Sequence, residues 1–232
     1  MRFIVMHKTD AKMEAGGPPE REIIEKMGQL VGGSLASGVF KDGAGLHRSA
    51  ARVRLRYRGG TRQVTRGPYA GDQELVASFA MIRAPSIEAA MEQADRFARV
   101  LGDGEIEIGP VVEPWDLGVA PAPAEPRDKR FLLLRKGDGE PANAALDALT
   151  SEMASEGVLL SAARLAPSAK GARLPRDKRT WTDGPFTESK ELVAGFSILE
   201  LPSMRDALAW ADRYAAILTE NEVDVRVVEA TS

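Results

Sequence analysis

Apolar residues in this chain form two helical stripes with the same spacing. Within Ile87 to Leu101 they stand at positions i, i+3, i+4, i+7, i+10, i+11 and i+14, and Met204 to Leu218 matches this stretch position for position. A 3.6-residue period is typical of an amphipathic helix that packs one face on a core. Ser86 and Ser203 directly precede the stripes and are the expected N-caps. The pattern therefore predicts two equivalent helices, and core packing alone explains them.

A second pattern predicts strands that are apolar on both faces. Such strands must be covered on both faces. Each repeat also has a predicted helix before its central strand, near Pro19 to Leu35 in one and near Pro141 to Ala154 in the other, but helices can cover only one face of the sheet. The remaining face of each sheet must therefore be covered by the other half of the chain. The predicted strands are two first, two central and two last strands: Arg2 to Lys8, Arg130 to Lys136, Leu75 to Ile82, Leu192 to Leu199, Glu105 to Glu113 and Glu222 to Glu229.

These equivalences follow from a tandem repeat. When Gly67 to Leu101 is aligned with Gly184 to Leu218, roughly 15 of 35 positions are identical, far above chance for a self-comparison. Each copy has a Gly-Pro-aromatic turn, a strand and a Pro-Ser helix start. The repeat predicts two structural units, residues 1–113 (repeat 1) and 130–232 (repeat 2), joined by a Pro/Ala-rich extended linker over residues 114–129.

The order of elements in each repeat is strand, helix, strands, helix, strand, which is that of a ferredoxin-like α+β unit. Repeat 1 also has a predicted hairpin, Arg52 to Arg58 and Thr61 to Thr65, turned by Gly59 and Gly60. Its counterpart in repeat 2 is shorter. The fold class predicted from the residues is α+β.

The stretch DGPFTESKE, Asp183 to Glu191, resembles the signature of the YCII-related family, whose members are also called DGPF-domain proteins. The resemblance extends over nearly the whole chain, although the motif is intact only in repeat 2. It implies two ferredoxin-like repeats packed sheet to sheet as an intramolecular dimeric α+β barrel, with a cavity between the repeats. It also implies a regulatory protein partner, because DGPF-type genes often lie beside genes for extracytoplasmic-function sigma factors.

Composition narrows the function classes. The chain has 232 residues, no cysteine and a formal charge of -3, with a pI near 5.6. Disulfides, thiolate metal sites and Cys nucleophiles are excluded, and a general nucleic-acid binder would need a more basic balance. No apolar run approaches the ~20 residues of a membrane span. We expect a soluble, cytoplasmic protein, with no membrane or nucleic-acid partner.

Among the residues that could carry chemistry, Asp183 comes first. An Asp beside a turn glycine can form a local hydrogen bond to the backbone, and it can also hold its carboxylate at a cavity as a base or as the partner of an imidazole. Turn formation is the commoner role. The resemblance favours the chemical role, since a His-Asp pair has been proposed for some members of the wider family. In repeat 1 the matching residue is Arg66.

Both histidines, His7 and His47, belong to repeat 1, which lacks the turn carboxylate. Repeat 2 has Asp183, but Arg135 and Ala166 stand at the two His-equivalent positions. A His-Asp dyad within one repeat is thus excluded at these positions, whereas a dyad between the repeats is allowed, with at most one such site in the chain. The alternative is that each His is a polar residue at a strand end or in a loop.

Candidate ligand-contacting residues come from the same comparison of repeats. They are Arg135, the motif residues Gly184, Pro185 and Phe186, and Arg54. Arg54 belongs to a basic stretch, Arg48 to Arg66, whose alternation could hold an anion or an acidic partner, or could form a solvated hairpin face. No phosphate-binding glycine loop or metal-spaced cluster is recognisable, so we expect no metal and no obligatory cofactor.

Two function classes remain open on the sequence. In the first, a small organic molecule binds in the cavity between the repeats, with acid–base chemistry of an isomerase or lyase type by Asp183, His47 and His7. In the second, the chain is a non-catalytic module that senses a ligand or binds a regulatory partner linked to a sigma factor. A small-molecule ligand is expected in the first class and in the ligand-sensing form of the second, and neither class fixes whether whole chains pair as a homodimer. The two repeats are expected to be functionally unequal.

Overall fold

The structure, a computed structural model, describes residues 1–17, 19–72, 74–124, 128–176, 180–186, 190–218 and 221–229. Its fold is α+β, as predicted, with helices on a large antiparallel sheet. The helices of the described residues are α1 (Ala11–Ala15), α2 (Arg21–Ala36), α3 (Ile87–Leu101), α4 (Ala144–Ser155) and α5 (Met204–Leu218). The strands are β1 (Arg2–Lys8), β2 (Phe40–Leu46), β3 (Val53–Arg58), β4 (Thr61–Arg66), β5 (Val76–Ala84), β6 (Gly104–Val112), β7 (Lys129–Lys136), β8 (Leu159–Arg164), β9 (Ala172–Leu174), β10 (Thr182–Asp183), β11 (Val193–Glu200) and β12 (Val223–Val227).

The strands of the two repeats alternate within the sheet. One half of the sheet, half A, has the order β12–β1–β11–β2, and half B has the order β6–β7–β5–β8. Inside each half, every neighbouring pair joins a strand of repeat 1 to a strand of repeat 2, and all pairs are antiparallel. The sequence pattern predicts one sheet for each repeat. The structure differs, because each half combines one strand–helix–strand unit from repeat 1 with one from repeat 2.

The exchange occurs at the two connections that hold the Gly-Pro-aromatic turns. Repeat 1 crosses from half A to half B between Leu46 and Val76, and repeat 2 crosses back between Arg164 and Val193. Both central strands carry the same apolar pattern, so the pattern is equally compatible with pairing inside a repeat and between repeats. Sequence periodicity therefore predicts the strands but not their partners.

Three apolar clusters fill the space on either side of the strands. Helices α2 and α5 cover one face of half A, and α3 and α4 cover one face of half B. The alternation along β1 shows the third cluster, because Phe3 and Val5 face the helices whereas Ile4 and Met6 join residues of both halves. The members of this third cluster are Ile4, Met6, Leu46, Val76, Phe79, Met81, Val111, Leu132, Leu134, Leu165, Val193, Phe196 and Ile198. Both faces of the strands are thus covered, as their double apolar pattern requires.

The most periodic segments fold as predicted. Helices α3 and α5 have the predicted bounds, and the Ser86 hydroxyl accepts a hydrogen bond from the backbone N–H of Ala89 at 3.2 Å. At the start of α5, the Ser203 hydroxyl accepts from the Asp206 N–H and donates to its carboxylate. The hairpin β3–β4 turns at Gly59 and Gly60, which both have positive φ.

The start of the linker is folded rather than extended. The N–H of Val119 donates to the carbonyl of Pro114 at 3.0 Å, and the N–H of Gly118 donates to that of Trp115 at 3.2 Å. These turns follow β6 directly, and they return the backbone instead of extending it. The predicted extended linker therefore begins with a compact turn at residues 114–119.

Candidate functional site

The two Gly-Pro-aromatic turns are fixed by close backbone contacts. A Cβ atom on Gly67 would lie 1.7 Å from the carbonyl oxygen of Ser49, and one on Gly184 would lie 1.8 Å from that of Ser168. Such distances are far inside van der Waals contact, so only glycine fits. The N–H of Phe186 donates to the Ser168 hydroxyl at 3.0 Å. The predicted motif residues thus anchor a turn, and Thr187, Glu188 and Ser189 of the motif lie outside the described residues.

The aromatic residue of each turn stacks on an arginine. The guanidinium of Arg54 lies 4.4 Å from the ring centre of Tyr69, and that of Arg173 lies 4.4 Å from the ring centre of Phe186. Such cation–π contacts strengthen when water is excluded. The Phe186 side chain is buried. Each turn therefore caps an arginine that belongs to a buried ionic cluster.

The Glu107 cluster comprises Arg52, Arg54, Glu74, Glu107 and Lys136, and it lies on the face of β6 and β7 that points away from the helices. Glu107 accepts from Arg52 at 3.0 Å and from Arg54 at 3.1 Å, and Lys136 is 3.2 Å away. Burial alone raises the pKa of Glu107, but these three cations outweigh it and lower the pKa to about 2. Glu107 is thus ionised at every physiological pH.

The equivalent Asp224 cluster comprises Lys8 of repeat 1 and Arg173, Glu222 and Asp224 of repeat 2. Arg173 donates twice to the Asp224 carboxylate, at 2.6 and 2.9 Å, and Lys8 lies 3.2 Å from it. Burial raises the pKa of Asp224, but the charges of Lys8 and Arg173 lower it more. In both clusters the central carboxylate is held as the anion, so neither one can donate a proton near neutral pH.

His7, predicted as catalytic, is a buried neutral imidazole. Its Nδ1 atom and the Tyr214 hydroxyl are 2.6 Å apart, and its ring fills the space that a side chain on Gly195 would occupy. Burial, together with the positive charge of Arg52, lowers the pKa of His7 to about 4. His7 lies on the same face of β1 as Phe3 and Val5, as the sequence predicts, and this face is covered by helices.

The low pKa of His7 predicts a pH dependence of stability. The unfolded chain takes up a proton on His7 near pH 6.5, whereas the folded chain takes it up only near pH 4. Stability therefore falls as pH decreases through this window, by about 1 kcal/mol between pH 7 and 5.5. Urea unfolding at both pH values should show this difference in the wild type and a smaller one in His7→Asn. The His47→Gln variant, changed on the surface, should keep the wild-type dependence, and an equal change in all three proteins contradicts the assignment.

The other two predicted catalytic residues lie on the surface. His47 Nε2 is 3.3 Å from a carboxylate oxygen of Asp116, in the turn after β6. Asp183 is exposed on the short strand β10, where it pairs with Ala172. Within the described part of the chain, neither imidazole forms an ion pair with Asp183. The imidazole–carboxylate contact seen here is thus between His47 and a residue that sequence reasoning did not select.

The basic stretch is largely neutralised. Arg54 is partly buried in the Glu107 cluster, with 11% of its side chain exposed, whereas Arg56, Arg62 and Arg66 lie on the surface of the hairpin. Arg56 pairs with Glu105 at 2.9 Å, Arg62 with Asp95 at 2.7 Å and Arg66 with Glu88 at 3.0 Å. These arginines form a solvated hairpin face, the second of the two alternatives above, and each has a carboxylate partner. Arg54 instead forms ion pairs in the interior.

Arg135, also predicted, lies in the wall of a cavity of about 50 Å³ between half B and helices α3 and α4. Both repeats line this cavity. Its apolar floor is formed by Phe79, Ala80, Phe97, Leu101, Ile106, Leu133, Leu146, Ala162 and Ala163, and its polar residues are Ser78, Arg135, Asp147, Thr150 and Arg164. It therefore combines an apolar interior with a few convergent polar groups, as small-molecule sites do.

The Arg135 guanidinium is held in place by three acceptors. Its Nε donates to the carboxylate of Glu140 at 3.1 Å, and its Nη2 donates to the carbonyls of Leu101 at 3.4 Å and Asp103 at 3.1 Å. The remaining nitrogen, Nη1, is buried and has no hydrogen-bond partner among the residues that the structure describes. Opposite it, Arg164 pairs with Asp147 at 3.1 Å. Two of the residues that line the cavity, Arg135 and Arg164, thus each form an ion pair with a carboxylate.

The equivalent space in half A is filled. His7 stands in place of Arg135, Tyr214 in place of Phe97 and Ser197 in place of Ala80, and the His7–Tyr214 hydrogen bond occupies the volume. The two repeats therefore differ at this position in packing as well as in charge. Sequence reasoning selected Arg135 only because it aligns with His7; it missed Glu140 and Arg164, which have no repeat-conserved or motif signal.

No group of three or more metal-ligating side chains occurs in the described ranges. None of the helices described here is long and apolar enough to cross a membrane. The family model for the YCII-related domain matches residues 1–115 and 137–230, which is most of both repeats. No curated protein and no solved structure matches the chain.

Proposed function

We propose that this chain, which belongs to the YCII-related domain family, binds a small apolar molecule in the cavity lined by both repeats. The observation that carries this proposal is that Arg135 belongs to the residues lining an apolar cavity and that its buried Nη1 has no hydrogen-bond partner among the described residues. A buried donor left without an acceptor is costly, and an oxygen of the ligand would supply that acceptor.

The dimensions and charges of the cavity define the ligand class. A volume of about 50 Å³ holds roughly four water-sized groups, which fits a short chain or part of an aromatic ring. Arg135 and Arg164 already have carboxylate partners, Glu140 and Asp147. The ligand therefore needs one acceptor oxygen, of a carbonyl or carboxylate, attached to an apolar body.

We further propose that the alternating strands form a dimeric α+β barrel within one chain. Its support is that the two halves join on both sides: β2 pairs with β6 through Gly45 and Leu46, and Leu165 bridges to Val228. In such a barrel the two helix-covered cavities would be equivalent. Because His7 and Tyr214 fill one of them, we expect one ligand per chain.

Binding, rather than acid–base catalysis, is the function that the side chains support best. His7 is neutral and buried, His47 pairs with Asp116, and the two central carboxylates of the ionic clusters are locked as anions. A ligand-sensing role is compatible with a regulatory protein partner of the kind the family resemblance implies. That partner is part of the proposal.

The test is thermal unfolding of the full chain with a panel of short-chain and aromatic carboxylates, aldehydes and amides. Ligands of the proposed class should raise the melting temperature, because binding stabilises the folded state. Arg135→Met should abolish the shift. A filled cavity should do the same: the combined change Ser78→Gly, Ala80→Ser, Phe97→Tyr and Arg135→His copies the residues of half A.

Arg58→Gln, on the exposed hairpin, is the matched control and should keep the full ligand shift. The proposal is wrong if the filled-cavity variant folds with wild-type stability and still responds to the same ligands. It is also wrong if no compound of the panel stabilises the wild type.

A further inference from the structure

Each repeat has a buried arginine at the same place in an equivalent pair of strands, β3–β6 in repeat 1 and β9–β12 in repeat 2. In repeat 1 the arginine is next to the first strand of the pair, and in repeat 2 it is on the second. Arg52, just before β3, stands across from Gly109 on β6, and Arg226 on β12 stands across from Gly171, just before β9. The Cδ atom of Arg52 lies 3.5 Å from the position of a Cβ on Gly109, and that of Arg226 lies 2.8 Å from the position of one on Gly171. Glycine on one strand thus makes room for arginine on the other.

Both guanidinium groups contact the same carbonyl of their repeat. Arg52 donates to the carbonyl of His47 at 2.6 Å, and Arg226 donates to the carbonyl of Ala166 at 2.5 Å. Ala166 is the residue that aligns with His47. The two arginines therefore have one shared role, and they can be compared partner by partner.

The comparison shows a missing acceptor at Arg226. Arg52 has two further close acceptors, the buried carboxylate of Glu107 at 3.0 Å and the carbonyl of Val193 at 2.7 Å. Arg226 has one, a carboxylate oxygen of Asp138 at 3.2 Å, through the same nitrogen that contacts Ala166. Its Nε and Nη1 atoms are buried and find no hydrogen-bond partner in the part of the chain that the structure describes, whereas in Arg52 the same holds only for Nη2.

The charge of Arg226 is also poorly balanced. The Asp138 side chain is 38% exposed and accepts from both the N–H and the hydroxyl of Ser168. The carboxylate of Asp224 is engaged by Arg173 and Lys8. Arg226 itself is fully buried. Burial lowers the pKa of Arg226 despite the nearby carboxylates, as expected for a cation whose neutralisation is incomplete.

We propose that a small monovalent anion, a halide or the head of a carboxylate, binds at the Nε and Nη1 atoms of Arg226. It supplies to Arg226 the acceptors that Glu107 and the Val193 carbonyl supply to Arg52. This site does not depend on the cavity at Arg135, because Arg226 lies on β12 in half A, beside the Asp224 cluster, whereas the cavity lies in half B. Only repeat 2 has the site, since in repeat 1 the protein supplies the acceptors.

The experiment compares thermal unfolding of the full chain in sodium chloride, sodium formate and sodium gluconate at equal ionic strength. Gluconate is too bulky for a buried site. An anion with a Kd of about 10 mM, present at about 300 mM, multiplies the folded-to-unfolded ratio about 30-fold. For a chain of this size the melting temperature then rises by roughly 4–8 °C. Chloride or formate should give this rise over gluconate, and Arg226→Gln should lose it.

Arg52→Gln is the matched control, and it should keep the anion dependence even if its own melting temperature falls. A bromide-soaked crystal of the wild type should show an anomalous peak beside Nη1 of Arg226. This second measurement applies even if Arg226→Gln does not fold. An absent peak, or equal stability of the wild type in all three salts, overturns the site, and so does an undiminished halide effect in Arg226→Gln.

Discussion

Gly184→Ala is expected to destabilise the protein by about 3 kcal/mol, because the added methyl group meets main chain that cannot move independently. The new Cβ would lie 1.8 Å from the carbonyl oxygen of Ser168 and 2.5 Å from its carbonyl carbon. The same short segment receives the N–H of Phe186 through the Ser168 hydroxyl. Relief of the clash must therefore displace the turn that carries repeat 2 from half B to half A.

Urea unfolding at pH 7 measures this loss, and Gly33→Ala is its control. Gly33 lies inside α2 with no atom within 4 Å of a Cβ, so alanine there should stabilise by roughly 0.5–1 kcal/mol through helix propensity. Gly67→Ala should resemble Gly184→Ala, since its Cβ would lie 1.7 Å from the carbonyl oxygen of Ser49. A loss below about 1 kcal/mol in both turn variants would show that the turns can relax.

The periodic elements could be predicted because their signals are local. The stripe over Ile87–Leu101 and the cap at Ser86 lie within one segment, and the structure confirms both. Strand β2 gives no such signal: its sequence FKDGAGL has no alternation, and a Cβ on Gly43 would lie 2.7 Å from the carbonyl oxygen of Phe196. Glycine in β2 thus allows a neighbouring strand to approach closely, but the sequence does not indicate which strand that is.

Strand exchange lay beyond sequence reasoning for a physical reason. In a tandem repeat the first strands β1 and β7 are nearly interchangeable, and so are the central strands β5 and β11. The pairings β1–β11 and β7–β5 bury the same kinds of residues as the pairings within one repeat would. The choice between pairing within a repeat and pairing between repeats depends on the connections over residues 47–75 and 165–192. The backbone contacts of these connections cannot be predicted from the periodicity of the sequence.

The candidate site also has residues that the sequence could predict and residues that it could not. Arg135 could be selected because alignment of the repeats places it opposite His7, and the structure places it in the wall of a cavity. Its orienting partner Glu140 and its neighbour Arg164 have no alignment or motif signal. The low pKa of His7 also depends on its surroundings, namely burial beside Tyr214. Alignment of the repeats thus identified His7 and Arg135 as equivalent positions, but the residues packed around each one determine its chemistry.

Removal of one charge from the Glu107 cluster is the second large effect. Glu107→Gln should cost about 3–5 kcal/mol, the usual result when one partner of a buried ion pair is removed. Arg52, Arg54 and Lys136 all lie within 3.2 Å of its carboxylate oxygens. The surface variant Glu88→Gln removes an ion pair with Arg66 whose side chains are both more than half exposed, so it should cost at most about 1 kcal/mol.

A double-mutant cycle distinguishes the charge effect from simple loss of packing. Lys136→Met alone should also be strongly destabilising, but the double variant Glu107→Gln with Lys136→Met should lose less than the sum of the single losses, because the uncompensated charge is partly removed. Additive losses contradict the electrostatic explanation.

The same cluster predicts the acid response of the wild type. The folded-state pKa of Glu107 is about 2, below the ordinary value of 4.5 for a glutamate, so its stabilising contribution is complete above pH 4.5 and disappears as pH falls toward 2. Glu107→Gln should therefore be less sensitive to acid than the wild type over this range, despite its lower stability at pH 7. Urea midpoints of the two proteins should converge as pH falls from about 5 to 3. Parallel midpoints would show that Glu107 is protonated in the folded and unfolded chains at the same pH, and that the three surrounding cations do not hold its charge.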